Sequence, residues 1–271
     1  MGALDEKDFR HPGDISWMNR IWENVVIEKI QTFLFDNGIE DVYACFDKAS
    51  CIEISGEMSP AIQDMLAWAC DRFGLKEIPS LYVKRDYDLT AEIHGFDNPY
   101  IVISSHFLNK LSDEMLRGIL ASRVAGILAG HHKTMFLLWA ANLFSGLVPG
   151  FSALLGVASN QWMRARFYTY DRAFLLATHN LELTLQSILA NTLSEHALKR
   201  MKCGTGEDLF DSQAKDFHNT NSIPKAYYYL FDSQDWAPER YSEIQRFYLD
   251  LGGEAEQYDI LRKKEEEPCL P

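Results

Sequence analysis

The chain has 271 residues, 47% of them hydrophobic, and a formal net charge of −13 at pH 7. That length and apolar content allow a real buried core, in one large domain or one domain with an appendage. The acidic balance, with no basic stripe, argues against nucleic acid as a partner.

The five cysteines (Cys45, Cys51, Cys70, Cys203 and Cys269) are an odd set without a CxxC pair, so they read as reduced thiols in the cytoplasm. The opening MGALDEKDFR carries charges where a signal peptide would be apolar. Residues 1–14 are polar and read as an arm. From Ile15 to Phe35 the apolar residues Trp17, Ile21, Val25, Ile27 and Ile30 recur at helical spacing, which predicts one helix stopped by Asn37-Gly38. Val42 to Ile54 reads as a strand. Ser59-Pro60 starts a second helix, to about Phe73, with proline in the first turn where its missing N–H costs nothing. Strands follow at Ile78–Lys84, at Thr90–His94, which is expected to pair with it, and at Pro99–Ser104.

The stretch Leu111–His132 is the best-defined element. Ser112 can cap a helix, and Asp113 and Glu114 sit in its first turn, where the helix dipole favours carboxylates. Met115, Leu116, Ile119, Leu120, Val124, Ile127 and Leu128 then recur at helical spacing. Ser122, Gly126 and Gly130 form a four-spaced row of small residues, which lets something bulky come close.

This helix resembles the active-site helix of the HtpX-like zinc metallopeptidases, a gluzincin family. The frame is kept in Leu111, Ser112, Asp113, Glu114, Leu116, Arg117, Leu120, Ala121, Gly130 and His131. A later run, FYTYDRAFLLAT from Phe167 to Thr178, is similar to the family's second helix at Asp171, Arg172, Ala173, Leu175, Leu176 and Ala177. With the opening DFRHPGD and the strand before the helix, the resemblance spans roughly residues 5–190. It implies an α+β, predominantly helical fold: a zincin-like core with a small mixed or antiparallel sheet and two central helices. It also places Ser122 at the first histidine of the HExxH zinc motif, Arg123 at its glutamate, Gly126 at its second histidine and Phe167 at the third ligand.

Those four residues do not suit zinc chemistry. A catalytic zinc needs three N, O or S ligands and one open position. Neutral Ser122 is a poor ligand, and Gly126 and Phe167 carry no donor. Arg123 is permanently cationic, cannot serve as a general base and repels a metal ion. Zinc binding is therefore expected to be lost, and no other cofactor is implied. Phe167 is expected to fill the space over Ser122 and Gly126. Asp171 matches the aspartate that orients a metal-binding histidine. It is read as an acceptor for Arg123 or as part of a helix-packing hydrogen bond. His131 matches a histidine beside the zinc motif that is not a ligand, and both are read as remnants of the old site. Strand Tyr100, Ile101, Val102, Ile103 and Ser104 matches the one whose free edge, in the family, pairs with a peptide, so it is the candidate peptide-binding edge. His94 and His106 are expected near the same cleft. Asp171, His179 and Glu182 lie on one extended helix, too far apart to form a metal site readily.

Between Lys133 and Arg164 there is no charged residue, and Gly146, Pro149 and Gly150 divide the stretch into halves too short to span a bilayer. A buried helical hairpin over 134–163 is expected, with a membrane-dipping hairpin or a self-association surface as alternatives. Past about residue 200 come a glycine-containing loop, short helices at Ile223–Phe231 and Pro238–Leu251, and a charged tail. The regions are thus 1–75 (N-terminal helices), 76–200 (degenerate metallopeptidase-like core) and 201–271 (C-terminal appendage). The expected function is a catalytically inactive metallopeptidase homologue that binds a peptide or protein partner as adaptor or regulator. The alternatives are a hydrolase with a relocated site and a membrane-peripheral scaffold built on the apolar hairpin.

Overall fold

In the computed structural model, the described residues are 3–36, 38–85, 90–144, 151–190 and 236–253, with single positions 213, 216 and 219. The expected loop after residue 200, the Ile223–Phe231 helix and the charged tail lie outside them.

The opening segment is not an arm. Asp5 starts helix α1 (Glu6–Phe9) through a reciprocal cap with Asp8. The Leu4 amide donates to the Arg72 carbonyl at 2.9 Å, and Leu4 and Phe9 are buried. The Phe9 ring meets Phe73 edge-on at 5.3 Å. Two apolar residues among charges suffice to dock the segment, and composition alone hid that.

The single helix expected from Ile15 to Phe35 is two, α2 (Pro12–Trp22) and α3 (Val25–Asp36). Pro12 begins α2, where the His11 Nδ1 accepts from the Gly13 amide at 3.0 Å. The ladder stops at Glu23, and the Asn24 carbonyl restarts it by accepting from the Ile27 amide at 2.9 Å. Asparagine competes with helical hydrogen bonding and favours such junctions. The strand expected over Val42–Ile54 is mostly helix α4 (Ile39–Ser50), followed by the short strand β1 (Cys51–Glu53). Gly38, with φ +63°, turns the chain into α4. In the helix, Ala44 and Asp47 reach the sheet, while Val42 and Phe46 face solvent.

Helix α5 (Pro60–Phe73) is as expected and ends on Gly74 at φ +67°. Strands β2 (Leu81–Lys84), β3 (Ala91–His94) and β4 (Tyr100–Ser104) complete a mixed four-stranded sheet in the order β1-β2-β4-β3. β3 pairs antiparallel with β4, not with β2 as expected, and β2 and β4 are parallel. Strand β4 is therefore interior. Tyr100, Ile101, Val102, Ile103 and Ser104 are buried, and their backbone groups bond to strands on both sides. The expected free peptide-binding edge at these residues does not exist. Leu81, Ile93, Ile101 and Ile103 face the main core, while Tyr82, Tyr100 and Val102 lie against Ala44 and Cys51.

After α6 (Ser105–Lys110) comes α7 (Asp113–Leu128), capped by Ser112 accepting from the Met115 amide at 3.3 Å. Helix α8 (His131–Phe144) and the 28-residue α9 (Phe151–Thr178) carry the apolar stretch. Phe136, Leu137, Ala140 and Trp162 are buried with Ile21, Ile27 and Leu34 in a second core cluster. Among the described residues, no helix is long and apolar enough to cross a membrane. His179, at φ +55°, separates α9 from α10 (Leu181–Ala190), which Asn180 caps. Asp171 and Glu182 therefore sit on different helices, not on one extended helix.

The last described helix, α11 (Ala237–Asp250), matches the expected one at Pro238–Leu251. Leu4 and Phe9, Leu66, Leu120, Phe174, and Tyr241, Ile244 and Phe247 share one core. All three regions read from the sequence therefore contribute to it. The fold is predominantly helical α+β with a small mixed sheet.

Candidate functional site

Helices α7 and α9 run antiparallel, and rings of one sit on glycines of the other. A Cβ added at Gly118 would lie 2.4 Å from the Phe174 ring, and one at Gly126 would lie 2.6 Å from Cε1 of Tyr170. Gly118 and Gly126 are thus seats for aromatic rings one turn apart on α9, while Gly130, the last of the expected row, lies beyond the end of α7 against Met18. Ser122 lies between the two seats, buried, and its hydroxyl donates back to the Ile119 carbonyl at 2.7 Å.

Tyr170, rather than Phe167, fills the space beside Gly126. Phe167 sits behind it, edge-on, with ring centroids 5.9 Å apart. Three apart on a helix, the two side chains are neighbours on adjoining turns, and the ring that meets Gly126 is the tyrosine. The Arg123 guanidinium lies over the Tyr170 ring at 4.0 Å, and Arg166 and Arg240 lie over Phe167 at 5.1 Å and 4.8 Å. Of the four positions matched to the zinc ligands and base, Arg123 and Phe167 are thus built into a ladder of cations and aromatic rings, Gly126 seats one of those rings, and Ser122 bonds to its own helix.

Of the two roles expected for Asp171, the structure holds the helix-packing hydrogen bond and not the pairing with Arg123. Asp171 accepts from Arg240 of α11 through Nε at 2.9 Å and Nη2 at 2.7 Å. That forked geometry matches a carboxylate to a guanidinium. The partner comes from the part of the chain where the resemblance had faded. Arg123 instead keeps Nε and Nη1 buried without a hydrogen-bond acceptor among the described residues. Nε of Arg166 is in the same state, its Nη1 touches the Met135 sulfur at 3.0 Å, and its Nη2 is 3.9 Å from Glu92. The Glu92 carboxyl is held down to about 2 by His94, Arg166 and Arg123, against the opposing effect of burial. Burial pulls Arg123 below the usual guanidinium value, and Arg166 and Arg240 add to that.

His131 belongs to a different centre. It is fully buried, and its Nε2 donates to Oδ2 of Asp14 at 2.8 Å. Asp14, 0% exposed, also accepts from Trp162 Nε1 at 2.9 Å, Thr169 Oγ1 at 2.8 Å and Arg10 Nε at 3.3 Å. Nδ1 of His131 has no partner among the described residues. An unpaired ring nitrogen is better tolerated as a bare acceptor than as a buried N–H, which fits a neutral imidazole. Burial accordingly lowers the His131 pKa. Burial alone would raise Asp14. His131, Arg10 and the Thr169 hydroxyl outweigh it and bring the carboxyl down to about 2. The sequence signal was the Arg10–Asp14 pair, four residues apart with an intervening proline that permits a helix start, but its surroundings read as an arm.

His94 of β3 lies between two carboxylates, with Nδ1 2.6 Å from Asp47 and Nε2 3.7 Å from Glu92. The Tyr100 hydroxyl donates to the same Asp47 oxygen at 2.7 Å. Burial alone would lower His94, but the two carboxylates raise it to about 9. It is thus an imidazolium at neutral pH and has no free lone pair to act as a base. His106 is half-buried on α6.

Among the described residues, no group of three or more His, Cys, Asp or Glu side chains could hold a metal ion. Zinc does not fit between α7 and α9, because Tyr170 fills the space beside Gly126 and a guanidinium lies across that ring. Comparison with family models, with curated proteins and with solved structures finds no match for the chain.

Proposed function

We propose that the chain is a non-catalytic relative of the HtpX-like peptidases that binds a peptide or protein partner, as adaptor or regulator, in the cytoplasm. One observation carries the reading: Arg123 stacked on Tyr170, with Tyr170 seated on Gly126, at the positions where the resemblance expects zinc and its base. A peptidase of this class must activate a water and stabilise a tetrahedral oxyanion. The residues here offer a cation and an aromatic ring instead, and neither removes a proton from water. Burial of Phe136, Leu137 and Trp162 favours a role for the apolar stretch inside the fold over one at a membrane surface.

The test is metal analysis of the purified full-length protein together with digestion of casein and of a peptide library. The reading expects neither stoichiometric metal nor hydrolysis, and cross-linking in the native cell is expected to recover a stoichiometric partner. Hydrolysis that a chelator abolishes overturns it.

A further inference from the structure

We propose that Arg123 and Arg166 form a binding site for a carboxylate, held between the two guanidinium groups beside Tyr170. The inference rests on the positions of these side chains and not on the peptidase-like reading.

Arg123 is 8% exposed, and two of its N–H-bearing nitrogens are buried without an acceptor among the described residues. The ring of Tyr170 answers the charge of the guanidinium, since its face is electron-rich, but gives those N–H groups nothing to bond. Nε of Arg166 has the same unmet need. Native structures rarely leave such donors unpaired, so a buried group of them points to an acceptor supplied from outside.

The charges agree. Asp171 neutralises Arg240 in a forked pair. Of the remaining group, Arg123, Arg166 and the His94 imidazolium carry three positive charges, and Glu92 and Asp47, the two carboxylates beside His94, carry two negative ones. One positive charge is left, which suits a singly charged ligand. A phosphate dianion would overshoot it and meet the Glu92 carboxylate. Glu92 is also the member most open to water, its side chain 40% exposed, and it stands 3.9 Å from Arg166. A ligand entering there would compete with Glu92 for Arg166 and continue inward to Arg123. A guanidinium fork is the side-chain shape that matches a carboxylate.

The source of the carboxylate is either a free small acid or the C-terminus of a peptide, and the assay separates them. The full-length protein is heated with acetate, with phosphate, with Gly-Gly and with Gly-Gly amide, each against chloride at equal ionic strength. A saturable rise in melting temperature with acetate or Gly-Gly, absent with the amide, supports the site. Gly-Gly binding at least tenfold more tightly than acetate assigns a peptide terminus, and the reverse assigns a free acid. Arg123→Met is expected to abolish the response without lowering the melting temperature in chloride, because it removes an unpaired buried charge. Glu92→Gln is expected to tighten acetate about tenfold, and this variant keeps the test valid should Arg123→Met fail to fold. Arg246→Met, at an exposed arginine on α11, is expected to leave the response unchanged. No saturable response in the wild type, an equal response in Arg123→Met, or a stronger response to phosphate than to both carboxylates overturns the proposal.

Discussion

Asp171 of α9 holds Arg240 of α11 through two parallel hydrogen bonds, 2.7 and 2.9 Å long, with both side chains almost wholly buried. Removing one partner strands the other charge inside the protein. Arg240→Met and Asp171→Asn should each cost about 3–5 kcal/mol in urea unfolding. The double variant Asp171→Leu/Arg240→Met should recover most of that loss, since an apolar pair of similar size leaves no buried charge behind. A double variant as unstable as the sum of the singles would show that the two residues do not act as a pair.

Asp14 should give the fold an acid-sensitive joint. Its folded value, about 2, lies below the ordinary 3.8. Ionised Asp14 therefore stabilises the fold above about pH 4, and that contribution drains away as pH falls toward 2. The shift is worth about 2 kcal/mol. Asp14→Ala leaves His131, Trp162, Thr169 and Arg10 without their shared acceptor and should cost about 3–5 kcal/mol at pH 7. Its unfolding free energy should fall less steeply than that of the wild type between pH 4 and pH 2, as read by urea titrations across that range.

His94 has the opposite sign. Its folded value is raised from 6.5 to about 9, so its contribution is complete below pH 6.5 and is lost as pH rises through 9. The two carboxylates together are worth on the order of 3 kcal/mol at low pH through this one group. Proton NMR of the imidazole should show a midpoint near 9 in the wild type. In Asp47→Asn it should drop by at least one unit, and a midpoint that stays put would remove Asp47 as the cause.

The glycines of α7 and α9 should respond in opposite directions. Gly118→Ala and Gly126→Ala push a methyl group into the Phe174 and Tyr170 rings and should each cost about 1–3 kcal/mol. At Gly156 an added Cβ meets nothing within 4 Å among the described residues. Gly156→Ala should therefore gain about 0.5–1 kcal/mol from the helix preference alone. Thermal unfolding of the three variants checks the contrast.

Helix α7 was legible because its cap, its first-turn carboxylates and its apolar spacing all agree, and α5 because Ser59-Pro60 marks its start. The small residues of α7 foretold a close approach, but not by what. Phe167 and Tyr170 are both aromatic and three residues apart, and only the rotation of α9 decides which one meets Gly126. Asp171 was recognised as a packing residue, yet its partner lies 69 positions away, a distance no local pattern bridges. The same holds for Asp14 and His131, 117 apart. The α4 segment failed for a different reason: its mixture of β-branched, aromatic and small residues fits either period over so few turns, and contact with Tyr100 and His94 settles it. The sheet order was out of reach because placing β4 between β2 and β3 depends on crossovers, not on the strands' own residues.

The seat of Tyr170 on Gly126 also constrains how this chain can change. Any side chain larger than hydrogen at position 126 collides with the ring, so position 170 must shrink before position 126 can grow. Shrinking it first takes away the surface on which Arg123 rests and strands that cation. Replacing Arg123 first strands nothing, so the three positions can change without penalty in one order alone: 123, then 170, then 126.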